Sequence, residues 1–312
     1  MKKYAAGIDI GGTNTKIGIV SNNGDVCSRT ALETGSYSTP SDFKKAIRSE
    51  LITLTDAPKI KLCGIGIGAP NANIYSGSIE FAPNLPWKGI VKLNDGLDDL
   101  APVLVTNDAN AAAIGEKLFG AARDFSDFIV VTLGTGVGGG IFCDSKLLYG
   151  KYGFAGEIGH ITAVPGGRKC NCGRKGCVEK YCSAGGIVTT ALELIKNYKG
   201  RTSLEKYDAD TLTTRVIYEK ALQGDEAAVE TFDITARYLA SFFNDLVNIF
   251  SPEAIIISGG VAKSGDILLT PLEKYFRQEL IEFYRDKNIR LLRSTLPGQD
   301  SAIIGAASLS LW

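Results

Sequence analysis

The chain has 312 residues, of which 36 are glycine, 45% are hydrophobic and 22% are charged. Lys and Arg together number 34, as do Asp and Glu, so the net charge is zero, which argues against DNA as a partner. No uncharged apolar run reaches the roughly 18 residues of a membrane span, and the N-terminus becomes glycine-rich before a signal sequence develops, so we expect a cytoplasmic protein. The length predicts two domains.

Two glycine-rich segments share a strand, turn, strand pattern. Residues 4–20 contain YAAGIDI and TKIGIV around a Gly-Gly turn, and residues 128–142 contain IVVTL, GTGVGG and GIF. Each segment predicts a β-hairpin, and the repetition favours two related domains. Either turn by itself is also compatible with an ordinary hairpin that binds nothing.

The other segments alternate between strand and helix patterns, which is typical of an α/β architecture. In chain order, the sequence predicts a helix over 42–55, a buried strand in LCGIGIGAP, and a strand VLVT that leads into a helix capped by Asn107 or Asp108. It then predicts a long helix over 229–250, a strand AIIIS, and a small-residue helix from about Ser301 that packs on the first domain.

Both glycine turns have the composition of a phosphate-binding turn. In DIGGTNTK, the glycines permit close backbone approach, and Thr13 and Thr15 offer hydroxyl donors. Asp9 is expected to hold a hydrated Mg²⁺ against the phosphates. The segment TLGTGVGG can bind phosphate in the same way from the other domain. Neither segment matches the P-loop pattern.

Asp108 is the best candidate for a general base. It follows a strand at the edge where α/β sheets bind ligands, and it lies between Asn107 and Asn110. A carboxylate there can accept the proton of a hydroxyl that attacks phosphorus. The alternative is an aspartate that only caps the helix.

Four of the seven cysteines lie close together, and the first of them, Cys170, is ten residues after the only histidine, His160. The spacing of His160, Cys170, Cys172 and Cys177 predicts a tetrahedral structural zinc site, with nearby glycines that allow tight turns. An odd number of cysteines without a secretion signal argues against a disulfide framework. Cys182 lies outside the turn-rich segment and is not expected to bind the metal. Unrelated thiols near a lone histidine are the alternative.

Two glutamates, Glu157 and Glu179, flank the predicted zinc site. Carboxylates held at a fixed separation can hydrogen-bond the hydroxyls of a sugar and discriminate against wrong analogues. Solvated surface glutamates are the alternative.

In the order DIGGTNTK, GIGAP, PNLPW, NDANAAAIGE, TLGTGVGGGI, GEIGH and CNCGRKGCVE, these motifs resemble the ROK family of sugar kinases and repressors over about residues 5–307. The resemblance implies an α/β, actin-like ATPase (ribonuclease H-like) fold, with two domains and a cleft between them for ATP and sugar. We expect a small domain of residues 1–120 plus about 297–312, with the first turn and Asp108, and a larger domain of residues 121–296.

The resemblance also implies roles for individual residues, with Asp108 as the catalytic base. The residues implied to contact the sugar are Asn84, Asn107, Asp108, Glu157, His160 and Glu179. The residues expected to bind the nucleotide are Asp9, Gly11, Gly12, Thr13, Thr15, Lys16, Gly134, Thr135, Gly136, Gly259 and Gly260. The implied zinc ligands are His160, Cys170, Cys172 and Cys177. One departure is GAPNANIYSG, where family members more often have PG after the strand, and it leaves the exact substrate open.

The implied activity is ATP- and Mg²⁺-dependent phosphorylation of the 6-hydroxyl of glucose or a closely related hexose, by a homodimer. N-acetylmannosamine, N-acetylglucosamine, allose and fructose are alternative substrates. A sugar-responsive regulator is disfavoured because the first phosphate motif begins at residue 9, which leaves no room for a helix-turn-helix. A chaperone-like ATPase has the same fold but predicts no sugar contacts.

Overall fold

The computed structural model describes residues 2–56, 59–82 and 84–312; Pro83 of the PNLPW motif lies outside these ranges. Contacts divide the chain into two compact units. The first consists of Met1–Ser126, Gly140–Gly156 and Ser294–Trp312, and the second of Asp127–Gly139 and Glu157–Arg293. The domains expected from the sequence, residues 1–120 plus about 297–312 and residues 121–296, stay a prediction.

The strands are β1 (Tyr4–Ile10), β2 (Asn14–Ser21), β3 (Val26–Glu33), β4 (Leu62–Gly68), β5 (Ala72–Asn73), β6 (Ser78–Glu80), β7 (Ile90–Lys92), β8 (Val103–Thr106), β9 (Phe128–Leu133), β10 (Val137–Cys143), β11 (Lys146–Leu147), β12 (Ala254–Ser258) and β13 (Arg290–Arg293). The helices are α1 (Pro40–Asp56), α2 (Asp108–Phe119), α3 (Glu179–Cys182), α4 (Ala184–Ile195), α5 (Thr214–Leu222), α6 (Glu226–Phe250), α7 (Asp266–Glu279) and α8 (Ser301–Leu311).

The first unit contains a five-stranded sheet in the order β3-β2-β1-β4-β8. β1 and β2 form an antiparallel hairpin around the first glycine turn, which confirms that prediction. β1, β4 and β8 are parallel, so their carboxyl ends lie at one edge. The predicted helix over 42–55 is α1, whose Phe43, Ile47 and Leu51 recur at four-residue intervals and are buried in the core.

The C-terminal helix α8 packs closely on this sheet, as predicted from its small residues. Gly7 of β1 and Gly66 of β4 pair in register and both face α8. A Cβ on Gly7 would lie 2.0 Å from the carbonyl oxygen of Ile303, and one on Gly66 would lie 1.8 Å from that of Ala306. Both glycines are therefore required by backbone packing.

The second five-stranded sheet has the order β11-β10-β9-β12-β13, in which β9, β12 and β13 run parallel. The predicted long helix is confirmed as α6. It begins at Glu226 because the Asp225 side chain accepts a hydrogen bond from the amide of Ala228. It ends at Phe250, where Ser251 adopts a left-handed conformation before Pro252.

A small antiparallel sheet, β5-β6-β7, follows the GIGAP segment. Strands of two or three residues have no measurable periodicity, so no sequence pattern predicts this sheet. Among the described residues, no helix is both long enough and apolar enough to cross a bilayer.

Candidate active site

The parallel strands bring two carboxylates to one edge of the first sheet. Asp9 of β1 pairs with Gly68 of β4, and Gly68 in turn pairs with Thr106 at the end of β8. Asp108 follows β8, and a Cβ built on Gly68 would lie 3.6 Å from the Asp108 Cα. Asp9 and Asp108 therefore lie on either side of this glycine, at the edge where open α/β sheets bind ligands.

The start of α2 orients Asp108. Asn107 is the N-cap, and its side-chain oxygen accepts a hydrogen bond of 2.8 Å from the amide of Ala109. The carboxylate of Asp108 accepts a bond of 2.9 Å from the same amide. Of the two capping alternatives, the structure selects Asn107, and Asp108 is the first helical residue.

Both carboxylates are electrostatically perturbed. Burial raises the pKa of Asp108, although part of this residue is exposed at the surface. Burial and the nearby charge of Asp108 raise the pKa of Asp9 to about 6, against the opposing effect of Lys16. Two anions in this position repel each other, so a bound divalent cation would be stabilised by both.

The first glycine turn packs against another part of the same unit. The amide of Gly11 donates to the carbonyl of Asn14 over 3.0 Å, which closes the turn. A Cβ on Gly12 would lie 2.5 Å from the carbonyl oxygen of Asn84, one of the residues predicted to bind sugar. Thr13 and Lys16 are exposed.

Thr15 does not fit the role that the sequence predicted for it. Its side chain is completely buried, and its hydroxyl lies 2.9 Å from that of Thr34, with which it forms a hydrogen bond. The alternation of β2 turns this side chain into the interior, so its hydroxyl is not available to a phosphate.

The second glycine turn, Gly134 to Gly136, contacts a different predicted sugar ligand. The amide of Gly134 donates to the carbonyl of Gly136 over 3.0 Å, and Thr135 is exposed. A Cβ on Gly136 would lie 2.6 Å from Oε2 of Glu179, and that oxygen accepts a hydrogen bond of 3.2 Å from the amide of Val137. The other carboxylate oxygen of Glu179, Oε1, lies 3.9 Å from Sγ of Cys170, so this residue contacts both the turn and the cysteine cluster.

The four predicted metal ligands converge. The candidate ligand atoms of His160, Cys170, Cys172 and Cys177 all lie within 4.8 Å of one another. The Sγ atoms of Cys172 and Cys177 are 3.6 Å apart, and Sγ of Cys170 is 3.8 Å from Nδ1 of His160. Zinc–sulfur bonds of about 2.3 Å in a tetrahedron require sulfur atoms about 3.8 Å apart, so the cluster has the dimensions of a zinc site.

The segment that carries these ligands, residues 160–177, is called the knuckle below. Arg168 anchors it to α3 and α4: its guanidinium donates to the carbonyls of Lys180 and Gly186 and pairs with Glu193. Its partners lie 12 to 25 residues further along the chain, so no local sequence pattern indicates this role. Cys182 is buried outside the cluster, as expected.

The remaining predicted residues lie at separate places in the second unit. Glu157 is exposed, and its Oε2 lies 4.0 Å from Nε2 of His160. Gly259 has a φ of +94° and follows β12; a Cβ there would lie 2.3 Å from the carbonyl oxygen of Leu133. Gly260 is exposed beside it. Packing against β9 therefore accounts for the requirement for glycine at position 259.

Comparison with known proteins identifies the family. The model of the ROK family matches residues 5–311. A glucokinase from Halalkalibacterium halodurans is 36% identical over 319 residues, which cover 98% of this chain and 94% of that protein. An N-acetylmannosamine kinase from Escherichia fergusonii is 32% identical over 310 residues, which cover 97% of each protein.

A solved structure agrees with these matches. The crystal structure of a ROK family glucokinase from Streptomyces griseus, in complex with glucose and AMPPNP, has a TM-score of 0.83 and 35% sequence identity, and the match covers 98% of both chains. The predicted actin-like ATPase fold is confirmed. Since the family model spans nearly the whole chain and full-length relatives exceed 30% identity, the chain belongs to the ROK family.

Proposed function

We propose that the chain is an ATP-dependent hexose kinase that phosphorylates the 6-hydroxyl of glucose or a closely related hexose, with Asp108 as the general base. The observation that carries this proposal is the position of Asp108 beside Asp9, at the carboxyl edge of three parallel strands. A base and a cation-binding carboxylate side by side are what in-line phosphoryl transfer to an alcohol requires.

In the proposed reaction, the sugar hydroxyl attacks the γ-phosphorus of ATP, the bond to the bridging β–γ oxygen breaks, and ADP leaves. Asp108 accepts the hydroxyl proton as the new oxygen–phosphorus bond forms. The hydrogen bond from the Ala109 amide holds the carboxylate at the start of α2, and Asn107 caps the helix beside it. Burial, which raises the pKa of Asp108, makes its carboxylate a better proton acceptor.

The nucleotide is assigned to the two glycine turns. Asp9 would hold Mg²⁺ through water, and the cation would supply charge neutralisation at the phosphates. The exposed Thr13 and Lys16 of the first turn and Thr135 of the second are available to phosphate oxygens. Thr15 is left out of this assignment because its hydroxyl is bonded to Thr34.

The sugar is assigned to Asn84, Asn107, Glu157, His160 and Glu179. Support comes from the contacts that hold two of them in place: Asn84 packs on Gly12, and Glu179 is bonded to the Val137 amide. The knuckle ligands would bind one zinc ion that stiffens the segment carrying His160. Through Nδ1, His160 would ligate zinc while its other nitrogen stays available to the sugar.

Glucose is the proposed substrate, since two full-length relatives named above are described as glucokinases. N-acetylmannosamine is the main alternative, because a relative with that activity also covers the full length. In the segment that departs from the family pattern, Asn71 has a φ of +53°. Asparagine tolerates this left-handed conformation better than most residues that carry a side chain, so it can occupy a position where the family pattern has glycine. The proposal also keeps a homodimer and a cytoplasmic location as predictions.

The test is a kinetic comparison of hexoses and N-acetylhexosamines with MgATP, using the wild type, Asp108→Asn and Asp98→Asn. Asp108→Asn is nearly isosteric and should lower kcat by about 10²- to 10⁴-fold, while Asp98→Asn, at an exposed site, should leave it unchanged. If a folded Asp108→Asn variant keeps most of its kcat, the base assignment is wrong. If no sugar supports turnover, the kinase assignment is wrong.

A further inference from the structure

Asn71, in the loop after β4, and Phe81, which directly follows β6, both have a left-handed backbone with a φ of +53°. This conformation is uncommon for a bulky residue such as phenylalanine and persists only where the surroundings hold it. Packing of the Phe81 side chain supplies little of that support, because the residue is 69% exposed. The support must therefore come from hydrogen bonds to the backbone.

The backbone around Phe81 is held on both sides. Its amide donates to the carbonyl of Gly89 over 2.9 Å, and its carbonyl accepts a hydrogen bond of 3.4 Å from Nδ2 of Asn71. The amide of the preceding residue, Glu80, donates to the carbonyl of Asn71 over 3.0 Å. Asn71 thus binds two neighbouring peptide groups, one through its backbone and one through its side chain. A glycine, which the family pattern has at this position, could make only the backbone bond.

The segment held by Asn71 leads directly to Asn84, which is proposed to bind the sugar. Ala82 and Leu85 flank Asn84 and are buried in the core of the first unit, whereas Asn84 is exposed. The carbonyl oxygen of Asn84 faces Gly12 of the first turn, where a Cβ would lie 2.5 Å from it. The position of Asn84 therefore depends on the course of the chain that the Asn71 side chain restrains.

We propose that Asn71 is a positioning residue for sugar binding, which restrains the segment carrying Asn84 through the hydrogen bond to the Phe81 carbonyl. This inference deepens the proposed function and rests on it, because it requires Asn84 to contact the sugar. A contact that is equally strong in the ground state and the transition state affects KM and leaves kcat unchanged. Loss of the restraint should therefore appear in the KM for sugar.

The experiment measures steady-state kinetics with glucose and ATP for the wild type, Asn71→Gly and Asn71→Asp. Asn71→Gly permits the left-handed conformation but removes the side-chain bond, and Asn71→Asp keeps the side-chain shape but offers a carboxylate with no proton to donate. Each should raise the KM for glucose about three- to tenfold, the effect of one lost hydrogen bond. The kcat and the KM for ATP should stay within about twofold of the wild type.

Ser145→Gly is the matched control for added chain flexibility. Ser145 is another exposed residue with a left-handed backbone, in the turn between β10 and β11, and its replacement should leave the KM for glucose unchanged. If Asn71→Gly raises this KM but Asn71→Asp does not, flexibility and not the hydrogen bond is responsible, and the inference is wrong. It is also wrong if both Asn71 variants have a lower Tm but an unchanged KM for glucose.

A double variant tests whether Asn71 acts through Asn84. Asn84→Ala should raise the KM for glucose, and adding Asn71→Gly should raise it by no more than about twofold further. Two independent, multiplicative increases overturn the inference. If Asn84→Ala leaves the KM unchanged, the assignment of Asn84 to the sugar fails, and the inference fails with it. A defective Asn84→Ala beside unaffected Asn71 variants overturns the inference alone, so the two failures are distinguishable.

Discussion

The two glycine turns have similar sequences, but the surroundings that require their glycines differ. In the first turn, Gly12 faces the backbone carbonyl of Asn84. In the second turn, Gly136 faces the side-chain carboxylate of Glu179. Each turn thus contacts a residue of its own unit that is proposed to bind the sugar. The first turn contacts a backbone atom, which cannot move independently, and the second contacts the end of a flexible side chain.

The difference suggests a division of roles between the turns. The first turn follows Asp9, which interacts electrostatically with Asp108, the proposed base, so we expect variants of Asp9 to change the chemical step. The second turn is connected through Glu179 to the knuckle, where Oε1 of that residue lies 3.9 Å from Sγ of Cys170. We therefore expect the second turn, but not the first, to depend on the metal.

The largest effect is expected from Cys170→Ser. Loss of a zinc ligand should remove about one zinc ion per chain and cost about 4 kcal/mol of unfolding free energy, because metal binding is coupled to folding. The KM for sugar should rise through Glu179. Elemental analysis, denaturant unfolding and kinetics measure these changes, with the exposed Cys27→Ser as the control. A variant that keeps its zinc and its stability would break the link between turn and metal.

Asp9→Asn should give the next largest effect. Removing the carboxylate that is expected to hold Mg²⁺ should lower kcat by about 100-fold, the size of one lost electrostatic contact to the transition state. Steady-state kinetics at increasing Mg²⁺ concentrations measure it, with the exposed Asp98→Asn as the control. Full activity at saturating Mg²⁺ would mean that Asp9 only contributes affinity for the cation.

Gly12→Ala should destabilise the first unit. Its Cβ would lie 2.5 Å from a backbone oxygen, so the chain around Asn84 must move, at a cost of about 2 kcal/mol. The KM for sugar should rise because Asn84 is displaced. Gly134→Ala is the matched control, since a Cβ there has open space. Equal stabilities of the two variants would contradict the proposed difference between the turns.

Gly136→Ala should have the smallest effect on stability, less than about 1 kcal/mol, because the Glu179 carboxylate can rotate away. The rotation breaks the bond to the Val137 amide, so the KM for sugar should rise by up to about tenfold. Thermal unfolding and sugar titrations measure the two quantities. A stability loss as large as that of Gly12→Ala would show that the carboxylate is held rigidly.

Several elements were predictable from the sequence because each depends on short-range patterns. The repeat of apolar residues predicted α1 and α6, and alternating apolar strands around glycines predicted the first hairpin. The spacing of His160 and the cysteines predicted that their side chains converge. The ordered motifs identified the family, since they report the composition of ligand-binding loops.

Other features were decided only by tertiary structure. The sequence indicated hydroxyl donors at Thr13 and Thr15. The hydroxyl of Thr15 is instead hydrogen-bonded to that of Thr34, which is 19 residues away on another segment. The glycines at positions 12 and 136 are required by the carbonyl of Asn84 and the carboxylate of Glu179, and no local pattern reports those contacts. Periodicity is a property of neighbouring residues, whereas the contacts that position a catalytic group depend on which distant segments the folded chain brings together.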